Sequence, residues 1–461
     1  MRSAGGTPLS RTMAAAACLL VMACARLPDL DYLKAPLDAP VTPRVVGAEG
    51  ALTDGEASSV LARRLGHSRI DAKALAALEE AATGRPLIVG NKVTLLFDGP
   101  KTIAAMMAAA EAAKDTINLE TYLFDQDALG MKFADLLIAK QLGGVQVNII
   151  YDCVGTLGTP QAFFDRMQKA GIRLLPFQPV SPLHKLGRWR INNRDHRKIL
   201  VVDGQVAFAG GVNIAAAYTR SSPFRSPDKS SPQAGWRDTH LQIEGPAVAA
   251  LQWMFLDNWA SQKEGSLPDR DYFPTLARAG DKVVRVLRSQ PGSNHEIFKA
   301  YFVAIRGATK SIHLTAAYFV PDGQILEALL GAAKRGVDVK LILPSVSDSW
   351  LTSHAGHSFY GQMLKGGIQV YELKTSVLHA KTAVIDGTWS TVGSTNMDMR
   401  SFLHNKEVNV VVMGDEFGRE MEAAFRDDLG DSNAITLEQW KQRPLNQSFK
   451  DWIARCLSYW L

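Results

Sequence analysis

The chain has few cysteines, and their spacing builds no site. Its 461 residues contain only Cys18, Cys24, Cys153 and Cys456, and no two of them have the C-x-x-C spacing. Zinc ribbons, thioredoxin-type redox sites and disulfide scaffolds all require such spacing or more cysteine. Cysteine is therefore not the organising chemistry of this protein.

A strong excess of one charge and long apolar runs are also missing. Lys and Arg number 51 against 46 Asp and Glu, which gives a formal net charge of +5, and 46% of the residues are hydrophobic. This balance is typical of a folded body of two or more domains, and it excludes disordered chains and multi-span membrane proteins. The mild basic excess favours anionic surfaces but is too small for a protein that coats nucleic acid.

The N-terminal segment predicts export. Arg2 and Arg11 precede an apolar run, Met13 to Ala23, that is too short to span a bilayer as a helix. The run ends in V-M-A-C, which resembles a bacterial lipobox, so Cys24 is predicted to become the lipidated N-terminus of an envelope lipoprotein facing the periplasm. Cleavage by ordinary signal peptidase, which gives a soluble periplasmic protein, is the alternative.

An internal repeat predicts the architecture. T-I-N-L at 116–119 and V-Q-V-N-I-I-Y-D at 145–152 are answered by S-I-H-L at 311–314 and V-D-V-K-L-I-L-P at 337–344. Each copy alternates strand-like runs with helical segments, which favours an α/β fold of two lobes related by a pseudo-twofold axis. Each lobe is expected to be a mixed β-sheet flanked by helices, with the active site at the lobe interface.

Composition shifts predict the boundaries of six segments. Prolines after the signal favour an extended tether, and an Ala-, Leu- and Glu-rich stretch favours a helix or helix pair. The segments are a signal at 1–24, a tether and helical segment at 25–86, a first lobe at 87–264, a linker at 265–282, a second lobe at 283–430 and an amphipathic tail at 431–461.

Both copies carry the same polar pattern. H-R-K-I-L-V-V-D at 196–203 precedes G-G-V-N at 210–213, and H-A-K-T-A-V-I-D at 379–386 precedes G-S-T-N at 393–396 with identical spacing. Residues i and i+2 of a strand share a face, so each histidine lies beside its lysine. Glycine lets backbone approach an anion, and asparagine offers amide donors. The pattern predicts a phosphate site with His196, Lys198, His379 and Lys381 as catalytic residues and Asn213, Asn396, Gly210, Gly211, Gly393 and Ser394 as substrate-binding residues.

The aspartate that ends each motif has a different predicted role. Asp203 and Asp386 each precede a glycine, and Asp-Gly is a turn-forming dipeptide. Both aspartates are therefore expected to hold the end of a strand rather than to contact substrate.

The twin H-x-K-x(4)-D motifs resemble those of the phospholipase D superfamily, over residues 93–429. The flanking W-R-D-T-H at 236–240, A-Y-F-V-P at 317–321 and N-K-E at 405–407 are similar to bacterial cardiolipin synthases. The resemblance implies that one histidine attacks the phosphodiester while the other protonates the leaving alcohol, without metal or cofactor. It also implies the joining of two phosphatidylglycerols into cardiolipin and glycerol.

The same resemblance implies the partners and the alternatives. The expected partners are an anionic phospholipid and a membrane, with no nucleic acid, and the oligomeric state stays open. A hydrolytic phospholipase D that releases phosphatidic acid and a secreted nuclease remain alternatives, because the superfamily includes both. The best-known cardiolipin synthases begin with two membrane helices, where this chain begins with a signal.

The resemblance further implies a carboxylate behind each histidine. Asp203 is seven residues from His196, an odd separation that puts it on the opposite face of the strand. The candidates are therefore Asp238 and Glu407, and the hypothesis is that Asp238 holds His196 and Glu407 holds His379.

Four further features have two interpretations each. His354 and His357 have zinc-like spacing without an acidic residue nearby in the sequence, which favours packing. Basic residues from Lys185 to Arg197 are expected to attract an anionic headgroup, with a solvated face as the alternative. The loop from Tyr218 to Gly235 is a candidate lid, and His240 either supports the site or packs. In the tail, a stripe at helical spacing favours packing on its own lobe over contact with a bilayer interface: it comprises Phe449, Trp452, Ile453, Cys456, Leu457 and Trp460.

Overall fold

The structure is a computed structural model that describes residues 26–34, 42–66, 71–179, 192–219, 235–263, 265–347 and 349–458. The predicted lipidation site Cys24 lies outside the described residues. So do most of the predicted lid (220–234), most of the basic stretch (180–191) and Trp460.

The described residues form alternating strands and helices. The strands are β1 (Val45–Gly47), β2 (Gly50–Ala51), β3 (Leu87–Leu96), β4 (Thr116–Thr121), β5 (Gln146–Asp152), β6 (Arg173–Phe177), β7 (Ile199–Val202), β8 (Val206–Gly210), β9 (Trp236–Arg237), β10 (His240–Glu244), β11 (Lys282–Ser289), β12 (Ser311–Ala316), β13 (Asp338–Pro344), β14 (Gln369–Leu373), β15 (Val377–Leu378), β16 (Lys381–Ile385), β17 (Trp389–Gly393), β18 (Glu407–Met413) and β19 (Ser432–Ile435). The helices are α1 (Asp54–Leu65), α2 (Ala72–Thr83), α3 (Gly99–Ala112), α4 (Ala128–Leu142), α5 (Gln161–Lys169), α6 (Val248–Gln262), α7 (Glu296–Gly307), α8 (Gly323–Lys334), α9 (Trp350–Lys365), α10 (Met399–Leu403), α11 (Asp415–Gly430), α12 (Leu437–Lys441) and α13 (Leu445–Cys456). Short 3-10 helices cover Asp31–Lys34 and Ala216–Tyr218.

The internal repeat of the sequence is a repeat of strand order. The first copy pairs its strands in the order β3-β10-β8-β7-β4-β5-β6. The second copy has the order β11-β18-β17-β16-β12-β13-β14 with the same parallel and antiparallel pairings. Helices flank both sheets, so the predicted mixed α/β fold is confirmed.

The two repeats share a core. Strands β3 and β11 pair antiparallel, with Val284 opposite Ile88. Behind this pairing, apolar side chains of the first repeat such as Val201 and Leu241 pack in one buried cluster with Val284 and Val410 of the second. Shared burial of this kind fixes the two sheets against each other, and it positions the edges that carry the polar motifs.

Polar residues cap three of the four helices that follow parallel strands, and Pro160 precedes the fourth, α5. Asp127 accepts a hydrogen bond from the Gly130 amide at the start of α4, and Asp322 and Ser349 cap α8 and α9 in the same way. Such caps satisfy amides that have no partner within the helix. The loops between strand and cap therefore turn at the carboxyl edge of each sheet.

The segment predicted as a tether is packed where the structure describes it. Leu30 is fully buried, and its amide donates to Gln324 Oε1 at 2.8 Å. Strand β1 pairs in parallel with β3, and α1 and α2 bury Leu61 and Ala76 in the core of the second repeat. The expectation of an extended tether is wrong for residues 26–34 and 42–50, because proline-rich sequence does not reveal isolated apolar anchors. The expected helix pair is present as α1 and α2. The linker is predicted at 265–282. Residues 265–281 form no helix or strand, and Lys282 already begins β11.

The tail also packs differently from the prediction. It begins with β19, which pairs antiparallel with β14, and it ends with α13 packed on α9. Phe449 and Trp452 of the apolar stripe are exposed, whereas Asp451 and Ala454 are buried. The expectation that the stripe packs on its own lobe is therefore wrong. Within the described ranges, no helix combines the length and the apolar character needed to cross a membrane.

Candidate active site

The two motif histidines precede equivalent strands, β7 and β16. Both histidine side chains are buried. Each motif lysine donates a hydrogen bond to the backbone carbonyl of its own histidine, Lys198 to His196 at 2.5 Å and Lys381 to His379. The charge of Lys381 contributes to lowering the pKa of His196, and Lys198 does the same for His379. The histidines and lysines of both repeats therefore converge on one site, as the sequence predicts.

The carboxylates are exchanged between the repeats. Glu407 lies 3.1 Å from His196 Nδ1 through both of its oxygens, and Asp238 Oδ2 lies 2.6 Å from His379 Nδ1. The hypothesis that Asp238 holds His196 and Glu407 holds His379 is wrong in its pairing. The two carboxylates themselves are those expected, and both are fully buried.

Short cross-repeat strand pairings cause this exchange. Leading into His196, Asp195 pairs with Lys406, and the His196 amide donates to the Lys406 carbonyl at 2.9 Å. Leading into the other histidine, β15 pairs in parallel with β9, and the His379 amide donates to the Arg237 carbonyl at 2.8 Å. The residue that follows each of these pairings is the carboxylate of the opposite repeat.

Burial and local charge give the two histidines different environments. Burial lowers the pKa of His196 well below its usual value, and Lys198 and Lys381 lower it further. Burial and Lys381 also lower the pKa of His379, but Asp238 opposes that effect. Burial alone would raise the pKa of Asp238, yet its charge interaction and hydrogen bond with His379 hold it below the ordinary value. Asp238 is therefore an ionised carboxylate, and the pKa of His379 stays below its usual value because burial and Lys381 outweigh the effect of Asp238.

Glu407 lies in a shell of neutral donors. Ser394 Oγ donates to Oε2 at 2.5 Å, and Asn405 Nδ2 donates to Oε1 at 3.1 Å. Burial raises the pKa of Glu407 to about 7, although Lys198 and these hydrogen bonds act in the opposite direction. Ser394, predicted as a substrate ligand, therefore supports a carboxylate.

The motif glycines make room for protein atoms. A Cβ added at Gly211 would lie 2.0 Å from Asp238 Oδ1, and one at Gly393 would lie 2.1 Å from Asn409 Oδ1. At Gly210 the nearest atoms would be those of His240 and the Thr239 carbonyl oxygen, all at 2.6 Å. The sequence predicted that these glycines admit an anion, and the structure gives a different reason, the close approach of neighbouring strands.

The two motif asparagines differ in their partners. Asn213 accepts from the Leu123 amide at 3.1 Å and donates to Tyr218 Oη at 2.9 Å. Tyr218 Oη in turn lies 3.2 Å from His379 Nδ1, so Asn213 positions this tyrosine. Asn396 is buried, and its Oδ1 has no hydrogen-bond partner in the described part of the chain.

Asp203 and Asp386 lie in turns after their motif strands, where they have positive φ angles of 52° and 53°. Asp203 accepts the amides of residues 114–116 at 2.8–2.9 Å, and Asp386 accepts those of residues 309–311 at 2.7–2.9 Å. These contacts bind the loop before β4 or β12 to the end of the motif strand, away from the histidines.

Aromatic rings that the sequence analysis missed as site residues line the histidines. The Tyr122 ring lies 5.1 Å from that of His196, and Trp236 and Tyr218 lie 4.9 Å and 5.9 Å from His379. Tyr122 follows β4 directly. Its position at the carboxyl end of a parallel strand is the sequence feature that could have identified it as a site residue. His240 accepts from the Val212 amide at 3.3 Å, and burial lowers its pKa to about 3, so it packs behind the site as a neutral residue.

The basic stretch before the first motif does not form a solvated entrance where the structure describes it. Arg194 and Arg197 are almost fully buried, and they pair with Asp152 at 3.5 Å and Glu120 at 3.6 Å. The expectation that these two arginines attract substrate is wrong, because both are paired with buried carboxylates behind the motif strand.

One cluster of metal-ligating side chains lies elsewhere in the described chain. His354 and His357 of α9 meet Asp451 of α13, so the acidic residue missing nearby in the sequence comes from the tail. These three could hold a cation. Asp451 already bonds His354 Nδ1 at 2.7 Å and lies 3.6 Å from Arg443 Nε, and we interpret the cluster as the attachment of α13.

Two copies of one mixed sheet, each giving a histidine and a lysine to a shared site, define a phospholipase D-type enzyme. The family model described as "Cardiolipin synthase, PLD-like domain" matches residues 106–222 and 301–429. The chain belongs to this cardiolipin synthase family of the phospholipase D superfamily, and it is a phospholipid phosphatidyltransferase.

Named relatives agree with this assignment, and one solved structure shares the fold. Cardiolipin synthase of Geobacillus kaustophilus is 35% identical over 376 residues, 81% of this chain and 73% of that protein. Cardiolipin synthase of Listeria innocua is 36% identical over 379 residues, 81% and 76% of the two chains. Phosphatidylserine synthase of Haemophilus influenzae shares the fold, with a TM-score of 0.59 at 11% identity over 80% of this chain and 95% of that one.

Proposed function

We propose that the protein joins two phosphatidylglycerols into cardiolipin and glycerol through a phosphohistidine. The observation that carries this proposal is the pair of buried histidines, each with a lysine beside it and a carboxylate from the opposite repeat at Nδ1. A histidine whose Nδ1 proton is held by an acceptor presents a bare Nε2. The relatives named cardiolipin synthase support the choice of substrate.

His196 is the nucleophile in this proposal. Its Nδ1 lies 3.1 Å from the Ser394 carbonyl as well as from Glu407, and a carbonyl only accepts hydrogen bonds, so Nδ1 carries the proton. The lone pair is then on Nε2, and the strongly lowered pKa keeps the ring neutral. In the first step Nε2 forms a bond to phosphorus as the bond from phosphorus to the glycerol oxygen breaks.

His379 is the acid and then the base. The ionised Asp238 at 2.6 Å stabilises the imidazolium form, which donates its Nε2 proton to the departing glycerol. The neutral His379 next takes the proton of a glycerol hydroxyl on a second phosphatidylglycerol. That oxygen attacks phosphorus, the bond from phosphorus to His196 breaks, and cardiolipin leaves.

The lysines stabilise charge on the phosphoryl group. Burial lowers the pKa of Lys198 to about 7, and an anionic phosphate placed against it favours the charged ammonium. Preorganised cations of this kind stabilise the oxygens on which charge develops in the transition state.

The product from phosphatidylglycerol vesicles tests the reaction. With the purified protein, we expect cardiolipin and free glycerol to accumulate. Mass spectrometry should find two phosphatidylglycerols consumed for each cardiolipin formed. Phosphatidic acid as the main product would identify the hydrolytic alternative. Cleavage of a single-stranded oligonucleotide with no change in the lipid would identify the nuclease.

We also propose that the protein is an exported lipoprotein anchored through Cys24. The lipobox-like sequence before this cysteine supports the proposal. Wild-type protein is expected to stay on membranes through salt and carbonate washes, and Cys24→Ser to be released or to remain an uncleaved precursor. A mature N-terminus at Arg26, read by sequencing, would indicate ordinary signal cleavage instead.

A further inference from the structure

The last described helix, α13, turns an apolar stripe away from the protein. Phe449 and Trp452 are 60% and 61% exposed, Ile453 is 39% exposed, and Cys456 is exposed as well. Their spacing of i, i+3, i+4 and i+7 is that of one helix face, which in a globular protein normally packs on the core. A contiguous apolar face left in solvent marks an interaction surface.

Specific contacts on the opposite face fix this orientation. Asp451 and Ala454 are buried against α9, where Asp451 bonds His354 Nδ1 at 2.7 Å. One turn further along, the Arg455 guanidinium lies 4.5 Å from the centre of the Phe359 ring. The helix therefore buries a polar residue that has its own partner, and it presents the apolar residues outward.

The exposed stripe lies near the edge of the sheet that carries the site. Helix α9 follows the carboxyl end of β13, and the last residue of the parallel neighbour β12 pairs with the motif Lys381. Asp451 of α13 contacts His354 of α9, and Arg455, one turn later in α13, contacts Phe359, which lies later in α9. The two helices therefore run in the same direction, and the amino-terminal half of α13 lies nearest that edge. Trp350 adds to the surface there, because it is 57% exposed and its ring lies 4.7 Å from that of His354.

We propose that Phe449, Trp452, Ile453, Leu457 and Trp350, here called the aromatic face, dock the protein on a bilayer that contains anionic phospholipid. The proposal rests on the proposed function, because a bilayer is where the lipid substrate lies. Aromatic rings favour the bilayer interface, and cations beside them favour anionic headgroups.

Charge and size favour a bilayer over a second copy of the chain. Lys450 is exposed on α13 beside the stripe, and in a symmetric pair of helices it would face a like charge. A helix of 12 residues is about 18 Å long, which is short for the roughly 800 Å² that each partner of a stable dimer buries.

Vesicle binding of the full chain tests the proposal. All proteins carry Cys24→Ser, so that a lipid anchor does not mask the result. The Phe449→Ser/Trp452→Ser variant is compared with wild type for sedimentation with vesicles of phosphatidylcholine alone and with added phosphatidylglycerol. The matched control is Trp253→Ser/Phe273→Ser, a second exposed aromatic pair whose rings lie 6.4 Å apart.

We expect the aromatic-face variant to lose about tenfold or more in affinity for phosphatidylglycerol vesicles. The reason is that two large apolar side chains are no longer transferred from water into the bilayer on binding. The control should bind as wild type does, and salt should weaken wild-type binding. Transfer activity on phosphatidylglycerol in detergent micelles should be the same in both variants, since no bilayer is then needed. Absence of micelle activity in wild type would overturn the proposed function and leave the binding comparison intact.

Two results would overturn the docking proposal itself. One is unchanged vesicle binding by the aromatic-face variant, or an equal loss in the control. The other is a change of oligomeric state: light scattering finds a dimer for wild type and a monomer for the aromatic-face variant, while vesicle binding stays the same. The aromatic face would then bind a second copy of the chain.

Discussion

A His196→Asn variant is expected to form no covalent phosphoenzyme with any phosphodiester, whereas a His379→Asn variant is expected to form one with an activated substrate. The reason is the division of duties between the two rings. Attack needs the Nε2 lone pair of His196, which the Ser394 carbonyl and Glu407 expose by holding the Nδ1 proton. Departure of glycerol needs the proton of His379, but a nitrophenolate departs without one.

With phosphatidylglycerol, both variants should lose cardiolipin synthesis. Loss of the acid is expected to cost roughly 10²- to 10⁴-fold, and loss of the nucleophile at least as much. With a nitrophenyl ester of phosphatidic acid, His379→Asn should release one equivalent of nitrophenol and stop, because no base then activates the second alcohol. Mass spectrometry should find the phosphatidyl group on His196.

Circular dichroism and thermal unfolding serve as the control, because neither histidine is part of the shared apolar core. A stoichiometric release by His196→Asn, with the label on His379, would reverse the two roles. Near wild-type turnover by either variant would contradict the two-histidine mechanism altogether.

The sequence predicts which residues form the site better than it predicts which of them contact one another. Repetition with identical spacing identifies both histidines and both lysines, and strand parity removes Asp203 and Asp386 as their acceptors. Parity says which face of a strand a residue occupies, but it says nothing about which strand lies beside it. The exchange of carboxylates follows from pairings between residues 195 and 406 and between 236 and 377, more than 100 positions apart.

The tail illustrates the same limit. Helical periodicity finds the stripe of Phe449 and Trp452, and it predicts burial because apolar faces usually pack. Which side of the helix is buried depends on His354, almost 100 residues earlier, which offers Asp451 a partner. A buried polar pair of this kind leaves no trace in the pattern of hydrophobic residues.

Replacing each carboxylate by its amide should impair the histidine of the opposite repeat. Asp238→Asn and Glu407→Gln keep the size of the side chain but remove its charge, and each is expected to lower turnover of phosphatidylglycerol by roughly 10²- to 10⁴-fold. The activated nitrophenyl substrate separates them. Asp238→Asn weakens the acid His379, so nitrophenol release should be largely rescued, whereas Glu407→Gln weakens the nucleophile and should not be. The opposite pattern would indicate pairing within each repeat.

The pH dependence gives a readout that a purely structural role of Glu407 would not produce. Burial raises its pKa to about 7, so in wild type the carboxylate that accepts the His196 proton is present above that pH and is lost as the pH falls through it. Nitrophenol release by wild type should therefore fall on the acid side of about pH 7. In Glu407→Gln no ionisation remains at that position, and the slow release should show no such acid limb, while the limb should persist in Asp238→Asn, whose carboxylate has a lowered pKa in wild type. An unchanged acid limb in Glu407→Gln would assign this ionisation to another group, and it would remove Glu407 as the residue that orients the nucleophile.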